Sequence, residues 1–221
     1  MLVKKSFHLD DFYLKCTKLW AKNNVLLLKY ICGVDYKVIG RENIPNDKFV
    51  VVSKHQSTWE CYFLYWFLPG YPVSVSKMEI SFLPIFGSAL KNIGTLSIDR
   101  RDGANSMKKI MEESKKFVKN GRNIFMIFPQ GTRVPVDSSS NDYPYKSGFV
   151  GIAKINRLYI LPIFLDSGKC WAKGMFVKKP GTITVKIMPP LSYEHYQDMD
   201  RDQIVKYIEN SIENNQNPYS A

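Results

Sequence analysis

The apolar positions of this chain switch repeatedly between two spacings. Some segments repeat at three and four residues; others are short, nearly unbroken runs. Across residues 8–32, Leu, Trp and Tyr recur at three and four, which predicts a helix. YKVIG and FVVVS then read as strands on either side of a turn at 43–47. STWECYFLYWFL reads as a helix stopped by Pro69 and Gly70. VSVSK and GTLSIDR are short strands. Residues 104–120 place Met107, Ile110, Met111, Ser114, Phe117 and Val118 on one helical face, with Lys and Glu on the other. Asn120-Gly121 ends that helix, because Gly tolerates the left-handed conformation. NIFMIF is an apolar strand, GFVGIAKI a helix, and LYILPIFL and ITVKIM are strands. RDQIVKYIENSIEN is an amphipathic C-terminal helix. Pro162, inside LYILPIFL, predicts an edge position or a bulge, since proline has no N–H for the ladder.

Strands alternating with helices predict an α/β domain with a mostly parallel central sheet flanked by helices. Unbroken apolar strands such as NIFMIF fit burial on both faces. In such sheets chemistry collects in the loops beyond the strand ends. Three of those loops carry unusual polar clusters.

Composition narrows the picture. With 221 residues the chain suits one domain, or one with an appendage, and buries a large core without disulfides. A hydrophobic fraction of 45% against 23% charged residues excludes bulk disorder. The net charge of +11 favours polyanionic partners. No nucleic-acid-binding motif is present, so anionic lipid is the better match; a Lys-rich soluble surface is the bland alternative. Clustered aromatics fit either a thick core or a membrane-interface belt. Cys16, Cys32, Cys61 and Cys170 form no C-x-x-C pair and read as free thiols in a reducing compartment. The N-terminus has no signal-peptide core. No run of about 18 apolar residues predicts a transmembrane helix. VLLLKYICGV and ISFLPIFGSAL are short enough to be core or to lie in the interface.

Four segments carry the candidate chemistry. In Lys54-HQSTWE, after the strand FVVVS, His55 precedes Glu60 by five residues. On one regular helix they would be about 140° apart. They meet if His55 lies in the loop and Glu60 in the first helical turn. The carboxylate then fixes one imidazole nitrogen and leaves the other to take a proton. The competing reading is a capping box, Ser57-x-x-Glu60, in which Glu60 only closes the helix start. In GTLSIDRR a strand ends in Asp99, Arg100 and Arg101, either an anion-binding pair of forks or a surface salt bridge. In FPQGTR, a tight turn at Gly131 with Thr132 and Arg133 either faces an anion or is an ordinary surface turn. The fourth, YILPIFLDSG, says by itself only that a strand is buried.

Taken together, HQSTWE, GTLSIDR, FPQGTR and LPIF, in that order, resemble the four motif blocks of the glycerolipid acyltransferases. The best match is to the 1-acylglycerol-3-phosphate acyltransferases. KYICGVDYKVIGRENIP is similar to the lead-in of bacterial members, so the resemblance covers roughly residues 25–190. Two positions depart from the pattern. Glu60 stands where the family has Asp, and Gln130 where it has Glu.

The resemblance implies a catalytic domain over 36–221, behind a helical, membrane-associating segment over 1–35. It implies His55 as general base and Glu60 as its orienter. Lys77, Arg100, Gly131, Thr132 and Arg133 would bind the acceptor, and backbone N–H groups near Gly131 would hold the oxyanion. The expected reaction moves a fatty acyl group from a thioester, acyl-CoA or acyl carrier protein, to the sn-2 hydroxyl of 1-acylglycerol-3-phosphate. Phosphatidic acid for phospholipid synthesis results. No metal, other cofactor or covalent enzyme intermediate is expected; Cys61, beside Glu60, reads as a buried thiol. The implied location is a membrane surface, at the cytoplasmic face of the inner or plasma membrane. Two alternatives stay open: an acyltransferase for another lyso-lipid, or a catalytically silent, basic membrane-binding domain.

Overall fold

Strand β2 (Phe49–Ser53) is buried at every one of its five residues. A strand meets that condition only when helices cover both faces of its sheet. Its side chains alternate between two cores. Val50 and Val52 join Ile110, Phe149, Ile204 and Ile208 on one face. Phe49 and Val51 join Val25, Trp59, Phe63 and Leu64 on the other. That is the period-two geometry of a pleated strand.

The computed structural model describes residues 4–77, 94–98 and 103–214. In chain order its elements begin with α1 (Lys4–Cys32), β1 (Val34–Ile39), β2, α2 (Trp59–Phe67), β3 (Val73–Lys77) and β4 (Thr95–Ile98). They continue with α3 (Gly103–Lys119), β5 (Ile124–Ile127), α4 (Gly148–Asn156), β6 (Tyr159–Leu165) and α5 (Gly168–Trp171). The last are β7 (Gly181–Ile187), α6 (Tyr193–Tyr196) and α7 (Arg201–Glu213).

The sheet has seven strands in the order β1-β7-β6-β2-β5-β3-β4. Every pairing is parallel except β6 with β7. The expected α/β domain with a mostly parallel sheet is therefore what forms. The strands β2, β3, β4, β5 and β6 all end at one edge, and β1 and β7 begin there. That common edge gathers the loops after the strands.

The elements follow the local signals. α3 buries Ile110 and Ser114, on the face that the periodicity marked. It ends at Lys119, and Gly121 at φ 79° lets the Arg122 N–H return to the Phe117 carbonyl at 2.9 Å. Pro162 is a correction in one respect. β6 lies inside the sheet, between β7 and β2, not at an edge. The ladder with β7 breaks there instead. Ile163 pairs with Ile187, and Ile160 with Leu191, so one side has an extra residue. The Pro162 carbonyl accepts from Met188 N at 3.0 Å, which puts the proline nitrogen against this break.

The aromatics divide between core and surface. Phe63 is fully buried and stacks on Trp59 at 4.6 Å and Phe67 at 5.0 Å. Phe12, Leu19, Trp20, Leu27, Tyr30 and Ile31 of α1 are exposed. None of the described helices is long and apolar enough to cross a membrane.

Phe63→Ala should destabilise the fold by roughly 3–5 kcal/mol, the range for truncating a buried Phe. Denaturant unfolding of the purified variant measures it. A loss within ordinary surface noise would contradict the stacked core under α2.

Candidate active site

The residues after β2 leave the sheet as a short loop before α2 begins. His55 lies in that loop, and Glu60 is the second residue of α2. This is the arrangement that the five-residue spacing requires. His55 Nδ1 stands 2.9 Å from Glu60 Oε1. A carboxylate accepts only, so Nδ1 carries the proton and Nε2 is left as the basic nitrogen. The ring stacks on Phe128 at 4.2 Å and 17°, and its side chain is 18% exposed. One face is packed, while a wet opening remains for a second molecule.

Glu60 is itself completely buried. A buried charge is tolerable only when its oxygens are hydrogen-bonded. Besides His55, Oε1 accepts from Gln56 N at 2.6 Å and Ser57 N at 2.7 Å. Oε2 accepts from Ser167 Oγ at 2.6 Å. One oxygen of Glu60 therefore meets both the imidazole and the two amides ahead of the helix, whose N-cap is Thr58. The reciprocal cap is altered: Ser57 Oγ accepts from Trp59 N at 3.1 Å.

The loop after β5 packs against the His55 loop. Val134 N donates to the His55 carbonyl at 2.7 Å. Gln130 is buried, and its Oε1 accepts from His55 N at 3.3 Å. Gln130 Oε1 makes this contact, while its Nε2 is buried with no partner among the described residues. Gly131 takes φ 69° to close the turn, and its N–H donates to the Phe128 carbonyl at 3.0 Å. That amide is engaged in the turn.

The other marked residues divide. Arg133 donates to Thr58 Oγ1 at 3.0 Å, so its guanidinium reaches the start of α2 beside His55. Thr132 lies between Gly131 and Arg133 in the same loop. Lys77 closes β3 at the same sheet edge, two strands from β2, or roughly 10 Å. Its backbone is described and its side chain is not. Arg100 lies outside the described residues.

Three contributors escaped the sequence reading. Ser167 follows β6 and was visible only as part of YILPIFLDSG. Gln56 ties the same segment down, its Oε1 accepting from Gly168 N at 3.1 Å. The third is a partly buried ion pair. Lys54, adjacent to His55, reaches Glu213 Oε2 of α7 at 2.9 Å and donates to the Ser138 carbonyl at 2.8 Å. Tyr145 donates to the other Glu213 oxygen at 2.9 Å, and burial pushes its hydroxyl pKa up. No local signal joins residues 54, 145 and 213. Cys61, expected to be buried, is half-buried, and burial, then the Glu60 charge, pushes its thiol well above the ordinary range.

A histidine hydrogen-bonded to a buried carboxylate thus stands at the carboxyl edge of a mostly parallel sheet. The chain belongs to the Acyltransferase family, whose model matches residues 35–166. It is 36% identical over 176 residues to the 1-acyl-sn-glycerol-3-phosphate acyltransferase of Pseudomonas aeruginosa, covering 79% of this chain and 66% of that one. It is 30% identical over 183 residues to the protein of the same name from Limnanthes douglasii, covering 82% and 63%. The chain thus spans just under two thirds of the length of these relatives. The crystal structure of the 1-acyl-sn-glycerophosphate (LPA) acyltransferase PlsC from Thermotoga maritima superposes with a TM-score of 0.72. At 22% identity, over 96% of this chain and 84% of that one, this likeness establishes the shared fold.

Glu213→Gln should leave the Lys54 ammonium buried without its counter-charge. A loss of about 2–4 kcal/mol is expected from breaking such a pair. Thermal unfolding measures it, and Glu213→Gln combined with Lys54→Met should recover much of the loss.

Proposed function

We propose that this chain transfers a fatty acyl group from an acyl thioester to the sn-2 hydroxyl of 1-acylglycerol-3-phosphate, giving phosphatidic acid. The observation that carries this reading is the His55–Glu60 contact with Nε2 left basic, in a chain of the Acyltransferase family. The relatives' names supply the acceptor. Acyl-CoA and acyl carrier protein offer the same thioester chemistry, and either serves as donor.

The reaction runs in one addition and one elimination. His55 Nε2 takes the proton of the sn-2 hydroxyl as its oxygen attacks the thioester carbonyl. The tetrahedral intermediate collapses, the carbon–sulfur bond breaks, and the imidazolium returns its proton to the leaving thiolate. The Glu60 carboxylate stabilises the transient imidazolium and holds the ring. General-base help supplies roughly 10²–10⁴-fold. Positioning by the acceptor's phosphate supplies a further part. Arg133 is the phosphate partner that geometry supports, with Lys77 contributing from the end of β3, Gly131 and Thr132 shaping the loop, and Arg100 assigned to the acceptor by the resemblance alone.

Residues 36–221 form the catalytic domain in this reading, and 1–35 a membrane-associating segment. The exposed apolar residues of α1 support that division, since an amphipathic helix lies in an interface. The working location is a membrane surface at the cytoplasmic face of the inner or plasma membrane. A catalytically silent, lipid-binding role is weighed down by the closed His55–Glu60 contact.

Thioester release in the presence of a panel of lyso-acceptors tests the reading. Acceptor-dependent release, greatest with 1-acylglycerol-3-phosphate, is expected; no release with any acceptor would overturn it. His55→Ala should lower turnover at least about 100-fold with the fold retained. Glu60→Gln separates its two roles. The amide can still accept from Gln56 and Ser57 and donate to Ser167, so the helix start survives. The counter-charge does not, and a loss of roughly 100-fold is expected. Near-normal turnover in that variant would reduce Glu60 to a cap.

Arg133→Ala should raise the acceptor KM roughly tenfold or more, the worth of a charge-assisted hydrogen bond. The donor KM should hold. A defect confined to the donor would move Arg133 to the thioester side.

A further inference from the structure

The loop between α5 and β7 has no part in the site above. It reads Ala-Lys-Gly-Met-Phe-Val-Lys-Lys-Pro over residues 172–180. Phe176 is 91% exposed and Val177 74% exposed, which exceeds every other large apolar side chain in the described part except Tyr30 and Ile31. Those two lie at the C-terminal end of α1. A soluble surface tolerates single exposed apolar residues, but an adjacent pair at a loop tip leaves a large area unburied.

The tip is held in shape. Trp171 Nε1 donates to the Met175 carbonyl at 3.2 Å, and Lys179 N to the Cys170 carbonyl at 2.8 Å. The Lys178 ammonium lies 4.3 Å from the Trp171 ring centroid and donates to the Phe176 carbonyl at 2.7 Å. The loop's root is fastened to α1, because Gly181 N donates to the Gly33 carbonyl at 3.0 Å. A Cβ at Gly33 would stand 3.1 Å from Pro180 Cβ, so the two backbones nearly touch.

Its position in the sheet is equally telling. β7 runs antiparallel to β6, so β7 begins where β6 and β2 end. The loop therefore projects from the same sheet edge as His55. Around its tip stand Lys173, Lys178 and Lys179, and residues 170–180 hold no Asp or Glu.

From this arrangement we infer that Phe176 and Val177 form a second membrane anchor, inserting into a bilayer whose anionic headgroups engage Lys173 and Lys179. The inference deepens the acyl-transfer reading, on which it rests for the presence of a lipid surface. A bilayer fits better than a protein partner. Two apolar side chains fall far short of the roughly 800 Å² per partner of a stable protein interface. An apolar tip ringed by ammonium groups needs no matching shape in a lipid surface, only an apolar interior beneath negative charge. With Tyr30 and Ile31 at the C-terminal end of α1, which leads into β1 at this edge, it gives two points of attachment beside the His55 loop, facing the interface in which a lyso-lipid resides.

The test uses the full chain and two kinds of vesicle, phosphatidylcholine alone and phosphatidylcholine with phosphatidylglycerol. Phe176→Ser with Val177→Ser should weaken partitioning at least about tenfold on both, the effect of withdrawing that apolar area. Lys173→Gln with Lys179→Gln should weaken it only on the anionic vesicles, and salt should mimic this change. An environment-sensitive dye on Val177→Cys, in a Cys16→Ser background, should report an apolar setting when vesicles are added. Partitioning unchanged in the Phe176/Val177 variant, or a dye still in water on bound protein, would overturn the anchor. So would a dye shielded by a soluble protein but not by vesicles. Transfer to micelle-dispersed acceptor should be unchanged in the tip variant; a loss there would assign the loop to the site and overturn the anchor as well. Wild-type protein inactive on every acceptor would sink the acyl-transfer reading alone, because flotation and the dye still decide the anchor.

Discussion

The buried carboxylate of Glu60 is the point on which the rest of this site depends. Four donors from two separate segments converge on it: His55, Gln56 and Ser57 from the loop after β2, and Ser167 from the loop after β6. A fully desolvated charge costs several kcal/mol unless each oxygen is satisfied. The loops after β2 and β6 are therefore not free to move apart without exposing an uncompensated charge. That constraint locks the imidazole ring, the start of α2 and the turn before α5 into one unit.

The sheet makes the convergence possible. β6 and β2 are neighbours and parallel, so their ends, and the residues after them, sit side by side. β5 lies on the other flank of β2 and brings Phe128, Gln130 and Arg133. Three loops from three adjacent strands thus enclose His55. The ring is stacked on one side, tied at Nδ1, and open to solvent elsewhere. This is the preorganisation that the proposed general-base role requires, since no reorganisation is then needed as charge develops. Lys54 extends the same logic outward: its pairing with Glu213 anchors the loop to the last helix, some 160 residues along the chain.

Much of this was legible in the sequence because local rules suffice for it. The period-two and period-three-to-four patterns marked the elements, and the unbroken apolar run NIFMIF, which holds β5, announced a sheet covered on both faces. The His55–Glu60 pair was legible because both partners lie within six residues of one helix start. Pro162 was legible only in part. Its missing N–H had to face a break in the ladder, and both an edge and a bulge provide one. Strand order decided between them by placing β6 between β7 and β2, and no local pattern encodes that order.

By itself, then, the sequence determined the α/β alternation, the helix ends at Gly121 and Pro69, and the placement of a base beside a carboxylate. Those features depend on interactions within a few residues, where backbone geometry alone decides what can meet. The tertiary structure decided the rest. It brought Ser167 to Glu60, closed Lys54 on Glu213 and Tyr145, engaged the Gly131 N–H in its own turn, and put Phe176 on the same edge as His55. Each of these joins residues far apart in the chain. Such contacts are fixed by strand order and strand direction, which the two faces of a buried sheet select together through packing, and which no single segment encodes.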